Sequence, residues 1–362
     1  MKRCVKCVLP TNYPGIEFNA EGICNYCLTY RKATYKGEDQ LKRFLAPFRN
    51  GEGKYDCLVG ISGGRDSSYA LYYLAKKCDL RVLAYTADNG FVPEDSKANM
   101  RKIAERLGVE LVTEKYDLLN KSIGNNVSSW LRKSSPGMVP MICCGCRLGV
   151  FRGLLQYAKR NKIPLIALGT GTPIEASRFK ELFLTENPLG RLAGVLGSGA
   201  LSLLSGLIYE MVRNPAYLLS PMDTLMFVQE YLYFLHFRTT GKIFYPNQKI
   251  LYLFEYVEWD EDKILSTIEN ELGWTKPAGS ASSWRSDCRV SFLKNYLLKK
   301  TVGFTEKDDM LSNMIREGIV TREEALNRLE SENVIPQKFI TELLDEIGIK
   351  DKPDVELATD TS

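Results

Sequence analysis

Histidine is nearly absent: among 362 residues there is one, His236. That scarcity removes the site types that need an imidazole, namely Ser–His–Asp triads, Cys–His nucleophile pairs and His-rich metal centres. His236 stands among aromatics in "YLYFLHFRTT", where it reads more readily as a packed residue than as a catalyst. A dominant charge is lacking too. Lys and Arg number 48 against 44 Asp and Glu, a net of +4, so the basic stripe of a protein that binds long nucleic acid is not expected. The N-terminal "MKRCVKCVLP" puts charges and cysteines where a secretory leader needs an apolar core. One uncharged run, Leu192 to Tyr209, reaches the lower length limit of a spanning helix, but it holds four glycines and three serines. It reads as a buried or substrate-covering helix. The expectation is a cytoplasmic protein with no stable membrane span.

What the chain does have is cysteine, ten in all. In a cytoplasmic protein these point to metal or redox chemistry before disulfides. Cys4-x2-Cys7-x16-Cys24-x2-Cys27 has the spacing of a four-thiolate zinc site, each pair gripping one side of a tetrahedral ion. Cys143, Cys144 and Cys146 fall in "CCGC", expected as a turn before the helical pattern "RLGVFRGLLQ", where a helix start and Arg147 would lower a thiol pKa. Three readings stay open there: a second metal site of Cys143, Cys146 and distant Cys288, a reactive or sulfur-carrying thiol, or a packing role. With Cys288 as third ligand, a [4Fe-4S] cluster with one open iron becomes conceivable.

The organisation read from the pattern is a four-Cys zinc module over residues 1–35, an α/β domain over 50–175, a mostly helical region over 176–350 and a disordered tail over 351–362. The α/β part rests on apolar runs in "YDCLVGIS", "RVLAYTAD", "VELVTEKY" and "IPLIALGTG", separated mostly by helical stretches. Such alternation predicts a parallel sheet covered on both faces. Farther on, Thr321 and Glu324 form a capping box opening "TREEALNRLE", and Gly318 suits the end of the preceding helix.

Between the first strand and the first helix of that domain lies "SGGRDSS", Ser62 to Ser68. Two glycines let the backbone approach an anion, the N–H groups at a helix start face it, and three hydroxyls add donors. A glycine turn that only redirects the chain is the alternative. The segment resembles the SGGxDS pyrophosphate-binding loop of the PP-loop ATP pyrophosphatases, with Ser62, Gly63, Gly64, Asp66 and Ser67 matching and Arg65 in the variable position. The resemblance implies an adenine nucleotide alpha-hydrolase (HUP-like) sheet that cleaves ATP between the α- and β-phosphates with Mg2+. Ser62 and Asp66 would act in catalysis, and Arg65 and Ser68 would also meet the nucleotide. Thr86 and Asp88 on the second strand, and Gly169 after the fourth, would complete the nucleotide site, with Asp88 as a magnesium or substrate contact.

The N-terminal "RCVKCVLPTNYPGIEFNAEGICNYC", the Cys143/Cys146 pair and "NMIREGIVTREEAL" are similar to the N-acetyl sugar amidotransferases, a branch of that family. This implies that a nucleotide-linked sugar's acetamido oxygen is adenylylated and then displaced by ammonia from a separate glutaminase. "GTPIEASRF" follows the fourth strand where those enzymes carry a Gly-Glu-Asn type segment. PP-loop tRNA thiolases are also similar, through a zinc module, the loop, an internal Cys-x-x-Cys and a downstream Cys; they imply sulfur transfer to tRNA or a small metabolite. A zinc-ribbon interaction protein with a degenerate nucleotide fold is a third reading, against which the intact loop speaks. Trp284, Arg285 and Asp287 are candidate acceptor contacts. Asp66→Ala is expected to abolish pyrophosphate release while the protein stays folded; normal release in that variant would rule out the loop assignment.

Overall fold

The computed structural model describes residues 2–49, 51–175, 199–218, 245–333, 335 and 337–349. His236, the "TENP" segment, most of the start of the uncharged run and the tail lie outside the described residues. No helix among the described residues is long and apolar enough to cross a membrane.

At the centre is a five-stranded, all-parallel sheet: β1 (Cys57–Gly60), β2 (Val82–Asp88), β3 (Glu110–Lys115), β4 (Leu165–Leu168) and β5 (Lys249–Tyr252), in the order β3-β2-β1-β4-β5. Of the interior strands, β1 and β4 are short and wholly apolar, as burial on both faces demands, and β2 is apolar but for Thr86 and Asp88. Cys57, Leu58, Val59 and every residue of β4 are buried. Because the chain leaves β1 for β2 on one side and later returns to β4 on the other, the crevice beyond β1 is a topological switch point, where open parallel sheets take their ligands.

The N-terminal cysteine-rich segment carries a short helix α1 (Asn25–Leu28), followed by α2 (Glu38–Leu45). Helix α3 (Arg65–Tyr72) starts where β1's loop ends, and α4 (Glu94–Leu107) follows β2. Two expectations need correction here. The stretch after β3 contains α5 (Asp117–Arg132), for which the weakly periodic "NKSIGNNVSS" gave no clear signal. The cysteine group is not in a turn: Cys143 is the N-cap of α6 (Cys144–Arg160), so Cys146 already lies in its first turn.

Beyond residue 175 the described chain forms α7 (Gly199–Arg213), α8 (Glu261–Leu272), α9 (Arg289–Val302), α10 (Glu306–Glu317), α11 (Arg322–Glu332) and α12 (Gln337–Glu346). The region is mostly helical, yet it also supplies edge strand β5. Thr321 and Glu324 form the capping box expected, and Gly318 ends α10 at φ +82°. Thr305 and Asp308 make a second capping box at the start of α10.

The C-terminal end of β4 comes so close to α3 that a Cβ on Gly169 would sit 2.5 Å from the Asp66 carbonyl oxygen. Only glycine fits between two backbones at that spacing. Gly169→Ala is therefore expected to lower the urea midpoint by the equivalent of about 1–3 kcal/mol. Gly51→Ala, where a Cβ meets nothing within 4 Å, should stay within about 0.5 kcal/mol; equal midpoints for the two variants would contradict the contact.

Candidate active site: a phosphate loop and two cysteine groups

The loop after β1 is held in shape by its own serines. Ser62 N–H donates to Ser67 Oγ (3.2 Å), the two hydroxyls are 3.0 Å apart, and Gly64 N–H points to Ser62 Oγ at 3.4 Å. Ser67 and Ser68 hydroxyls both donate back to Gly64 O, at 3.1 and 2.7 Å. Gly63 adopts φ +81°, and a Cβ there would fall 2.3 Å from Ser96 O on α4. The backbone is thus pressed against α4 in a conformation that glycine alone takes easily.

Two tryptophans on the α8 side pin this loop from behind. Trp274 Nε1–H donates to Gly63 O (2.8 Å), and Trp259 Nε1–H donates to Asp66 Oδ1 (2.8 Å). Burial pushes the Asp66 carboxyl up, with the Arg65 guanidinium opposing.

Arg65 and Ser68 need correcting as nucleotide contacts through their side chains. Arg65 is 1% exposed, stacks over Trp259 at 5.1 Å, is ion-paired with Glu261 and donates to Ser283 Oγ at 2.8 Å. Ser68 is fully buried, its hydroxyl stapling the helix start. Both keep only a backbone N–H near the loop. On β2, Thr86 is buried, and Asp88 accepts from Gly90 N–H (2.9 Å) and pairs with Lys97 (3.2 Å). Asp88 thus closes a turn in place of offering a free carboxylate.

A second wall follows β4. Gly169 lies against the start of α3, and the N–H groups of Gly171 and Thr172 donate to Glu175 Oε2 at 2.9 and 3.4 Å. Burial raises the Glu175 carboxyl, with Arg285 acting against it.

The third wall is C-terminal. Arg285 sits in the left-handed region at φ +49°, its guanidinium 5.0 Å from the Trp284 ring and its Nη1 3.1 Å from both Glu306 oxygens. Buried Lys294 reaches the same carboxylate at 3.1 Å. Asp287 Oδ2 would be 2.9 Å from a Cβ on Gly64, so this carboxylate lies directly on the phosphate loop. Glu175, Glu306 and the two pinning tryptophans carry no motif and could not be singled out from sequence spacing.

Of the two cysteine groups, the N-terminal one is closed. The sulfurs of Cys4, Cys7, Cys24 and Cys27 all lie within 4.8 Å of one another and are buried, with Cys7 and Cys24 Sγ 3.8 Å apart. A tetrahedral ion with bonds of about 2.3 Å needs this separation. Amide N–H groups of Lys6, Cys7 and Cys24 point at Cys4 Sγ, at 3.3 to 3.5 Å. Arg316 lies 3.6 Å from Cys7 Sγ. The neighbouring thiols Cys24 and Cys27, with Arg316 in support, hold Cys7 far below the usual thiol range, whereas the same closeness drives Cys24 up. Packed this tightly, the sulfurs cannot all be thiolates without a cation, so the donor set fits zinc.

The second group is looser. Asn89 Nδ2 is 3.0 Å from Cys146 Sγ and 4.0 Å from Cys288 Sγ, and Cys143 and Cys288 are each the N-cap of a helix, α6 and α9. Burial, with Asp287 in support, pushes the Cys288 thiol up to about 11. The fold therefore brings Cys288 to the Cys143/Cys146 pair across the sequence. The three sulfurs do not all lie within 4.8 Å of one another, as a single ion would require. A cluster that seats each thiolate on its own iron does not need that closeness.

Residues 287–354 match the family model of the C-terminal domain of WbpG-like lipopolysaccharide biosynthesis proteins. An uncharacterized protein of Methanocaldococcus jannaschii is 25% identical over 170 residues, 46% of this chain and 58% of that one. An argininosuccinate synthase of Burkholderia pseudomallei is 32% identical over 114 residues, 31% of this chain and 28% of the enzyme. The chain thus spans less than two thirds of the length of either relative. Among solved structures, a U34-tRNA thiolase of Methanococcus maripaludis with its [4Fe-4S] cluster superposes at TM-score 0.38 and 17% identity, covering 91% of this chain and 89% of that one. An NMN synthetase of Francisella tularensis superposes at 0.37 and 14%, covering 87% and 98%.

The Glu306 carboxyl gives the site a pH dependence of definite sign. Burial opposes ionisation, but Arg285 and then Lys294 outweigh it and hold the carboxyl at about 2. An unfolded glutamate titrates near ~4.3. The stabilisation, about 3 kcal/mol, is thus present above that value and is lost as pH falls toward the folded value. Glu306→Gln should be less stable than wild type in urea at neutral pH, by a gap that narrows as the pH drops toward about 2. A gap independent of pH would contradict the ion pairing.

Proposed function

We propose that this chain, of PP-loop ATP pyrophosphatase type with a WbpG-like C-terminal domain, uses ATP to adenylylate the oxygen of an acceptor carbonyl and lets ammonia displace AMP. The acceptor we propose is the N-acetyl group of a nucleotide-linked sugar, turned into an acetamidino group in the cytoplasm, with ammonia delivered by a separate glutaminase subunit. The observation that carries this reading is that Asp287, where the WbpG-like segment begins, lies on Gly64 of the phosphate loop. A domain of that kind thereby forms one wall of the ATP site.

In this reading the loop amides from Gly64 to Ser67 face the β- and γ-phosphates, while Ser62 and Ser67 fix the loop in the shape that receives them. Mg2+ bound with the nucleotide would offset phosphate charge. The acceptor oxygen attacks the α-phosphorus and the bond to the β-phosphate oxygen breaks. Pyrophosphate leaves, and the amide carbon becomes electrophilic. Ammonia adds to that carbon, the carbon–oxygen bond breaks, and the old carbonyl oxygen departs on AMP. Residues 1–35, with zinc on Cys4, Cys7, Cys24 and Cys27, act as a structural module. Residues 50–175 bind the nucleotide, and 176–350 shape the acceptor site around Trp284, Arg285 and Asp287.

A second reading, sulfur transfer, is favoured by Cys146 and Cys288 meeting at Asn89, with Cys143 close enough to act on Cys288 electrostatically. Those three thiolates would hold a [4Fe-4S] cluster, which supplies an open iron for a sulfur donor.

Protein purified without oxygen should contain about one zinc per chain and no iron. It should form AMP and pyrophosphate only when a nucleotide-linked N-acetyl sugar and ammonium are both present. Stoichiometric iron and acid-labile sulfide, lost on Cys288→Ser, together with AMP formation that requires a sulfide source, would replace this reading with the second.

A further inference from the structure

Asp287 stands out among the acidic side chains around the phosphate loop. Its carboxylate lies against Gly64, close enough that a single added carbon there would meet Oδ2 at 2.9 Å and Cγ at 3.1 Å. The other carboxylates of the site are engaged: Asp66 with Trp259, Asp88 with Gly90 and Lys97, Glu175 with the amides of Gly171 and Thr172, and Glu306 with Arg285 and Lys294. Asp287 has no hydrogen-bond or ion-pair partner among the described residues. Its neighbours in sequence are committed elsewhere, Arg285 to Glu306 and Cys288 toward Asn89.

An unpartnered carboxylate on an anion-receiving loop is an electrostatic contradiction when the loop is filled. Two like charges held a few ångströms apart in a partly buried crevice repel by several kcal/mol at the effective dielectric of such sites. The contradiction disappears when a divalent cation lies between carboxylate and phosphates. Mg2+ suits this, because it is commonly held by one or two carboxylates together with substrate phosphates, keeping its remaining waters. The acidic groups near the loop do not preform a cation cage, since the only cluster of metal-ligating atoms among the described residues is the N-terminal cysteine group. The nucleotide must then supply the other ligands.

We propose that Asp287 is the protein's ligand for a divalent cation that enters with the triphosphate, so that the C-terminal region contributes the metal-holding group to a loop built by the α/β domain. The inference rests on the ATP reading above and adds what that reading leaves open, the residue that holds the metal. It assigns to Asp287 the role that the sequence suggested for Asp88, whose carboxylate is already paired.

The test is Mn2+ binding, followed by electron paramagnetic resonance, to the full chain with and without α,β-methylene-ATP, for wild type, Asp287→Asn and Asp287→Cys. In the presence of the nucleotide, Asp287→Asn is expected to weaken Mn2+ by roughly tenfold or more, while metal-free nucleotide binds as well as before or better. Asp287→Cys should regain metal-dependent nucleotide binding with thiophilic Cd2+ but not with Mg2+. Unchanged Mn2+ affinity in Asp287→Asn would overturn the assignment and leave the ATP reading standing. Nucleotide affinity raised equally with and without metal would also overturn it, since Asp287 would then act only by repulsion. A wild-type chain that binds no nucleotide under either condition would overturn the ATP reading and this inference together.

Discussion

The buried guanidinium of Arg65 is the constraint around which the site is arranged. It sits in the first turn of α3 with almost no access to water, and a buried charge is tolerated only when paired. Glu261 supplies the pair, and Arg328 on α11 satisfies the other side of Glu261 at 2.8 Å. Trp259 covers the guanidinium face and also holds Asp66. Position 65 is thus filled by a side chain that turns away from the loop and binds its helix to α8 and the C-terminal helices. The loop owes its rigidity to residues about 200 positions distant, such as Trp259 and Trp274.

That arrangement sets two chemistries side by side. At positions 287 and 288 consecutive residues face different groups: the carboxylate lies on the phosphate loop, and the thiol lies toward Asn89 and Cys146. Whatever task those thiols serve, it is performed one residue from the glycine-rich loop after β1. The two readings proposed above, ammonia transfer and sulfur transfer, differ in what Cys143, Cys146 and Cys288 would hold.

Much of this was legible in the sequence, for physical reasons that also explain the failures. Strands β1 and β4 are continuous apolar runs and most of β2 is apolar, and the loop's glycines sit where a strand meets a helix, so pattern and motif agree. The cysteine pairs at 4/7 and 24/27 converge, as their spacing permits, into a set of four buried sulfurs that could share one ion. Helix α5 was missed because its middle is polar and interrupted by Gly124; the glycine's place is set by a tertiary approach, a Cβ there meeting Ile347 O at 3.2 Å. Strand β5 is only "KILY", recruited by pairing with β4. Arg65 was misjudged as a phosphate contact because adjacency to a loop says nothing of side-chain direction. The position of Asp287 on Gly64 is a long-range contact, for which no local pattern exists.

The N-terminal four-cysteine segment is bound to α10 and α11. Arg322 Nε donates to the carbonyls of Cys4 and Cys7 (3.2 Å each), Val8 N–H meets Ser312 Oγ at 3.3 Å, and Arg3 pairs with Asp308 at 2.6 Å. These contacts close loops of about three hundred residues, whose entropy must be met before any stabilisation returns. The cysteines precede by about three hundred residues the Arg322 side chain that satisfies the Cys4 and Cys7 carbonyls. The four-cysteine cluster is thus seated by α10 and α11, so a change that displaces either helix also removes hydrogen bonds from the backbone that presents the sulfurs.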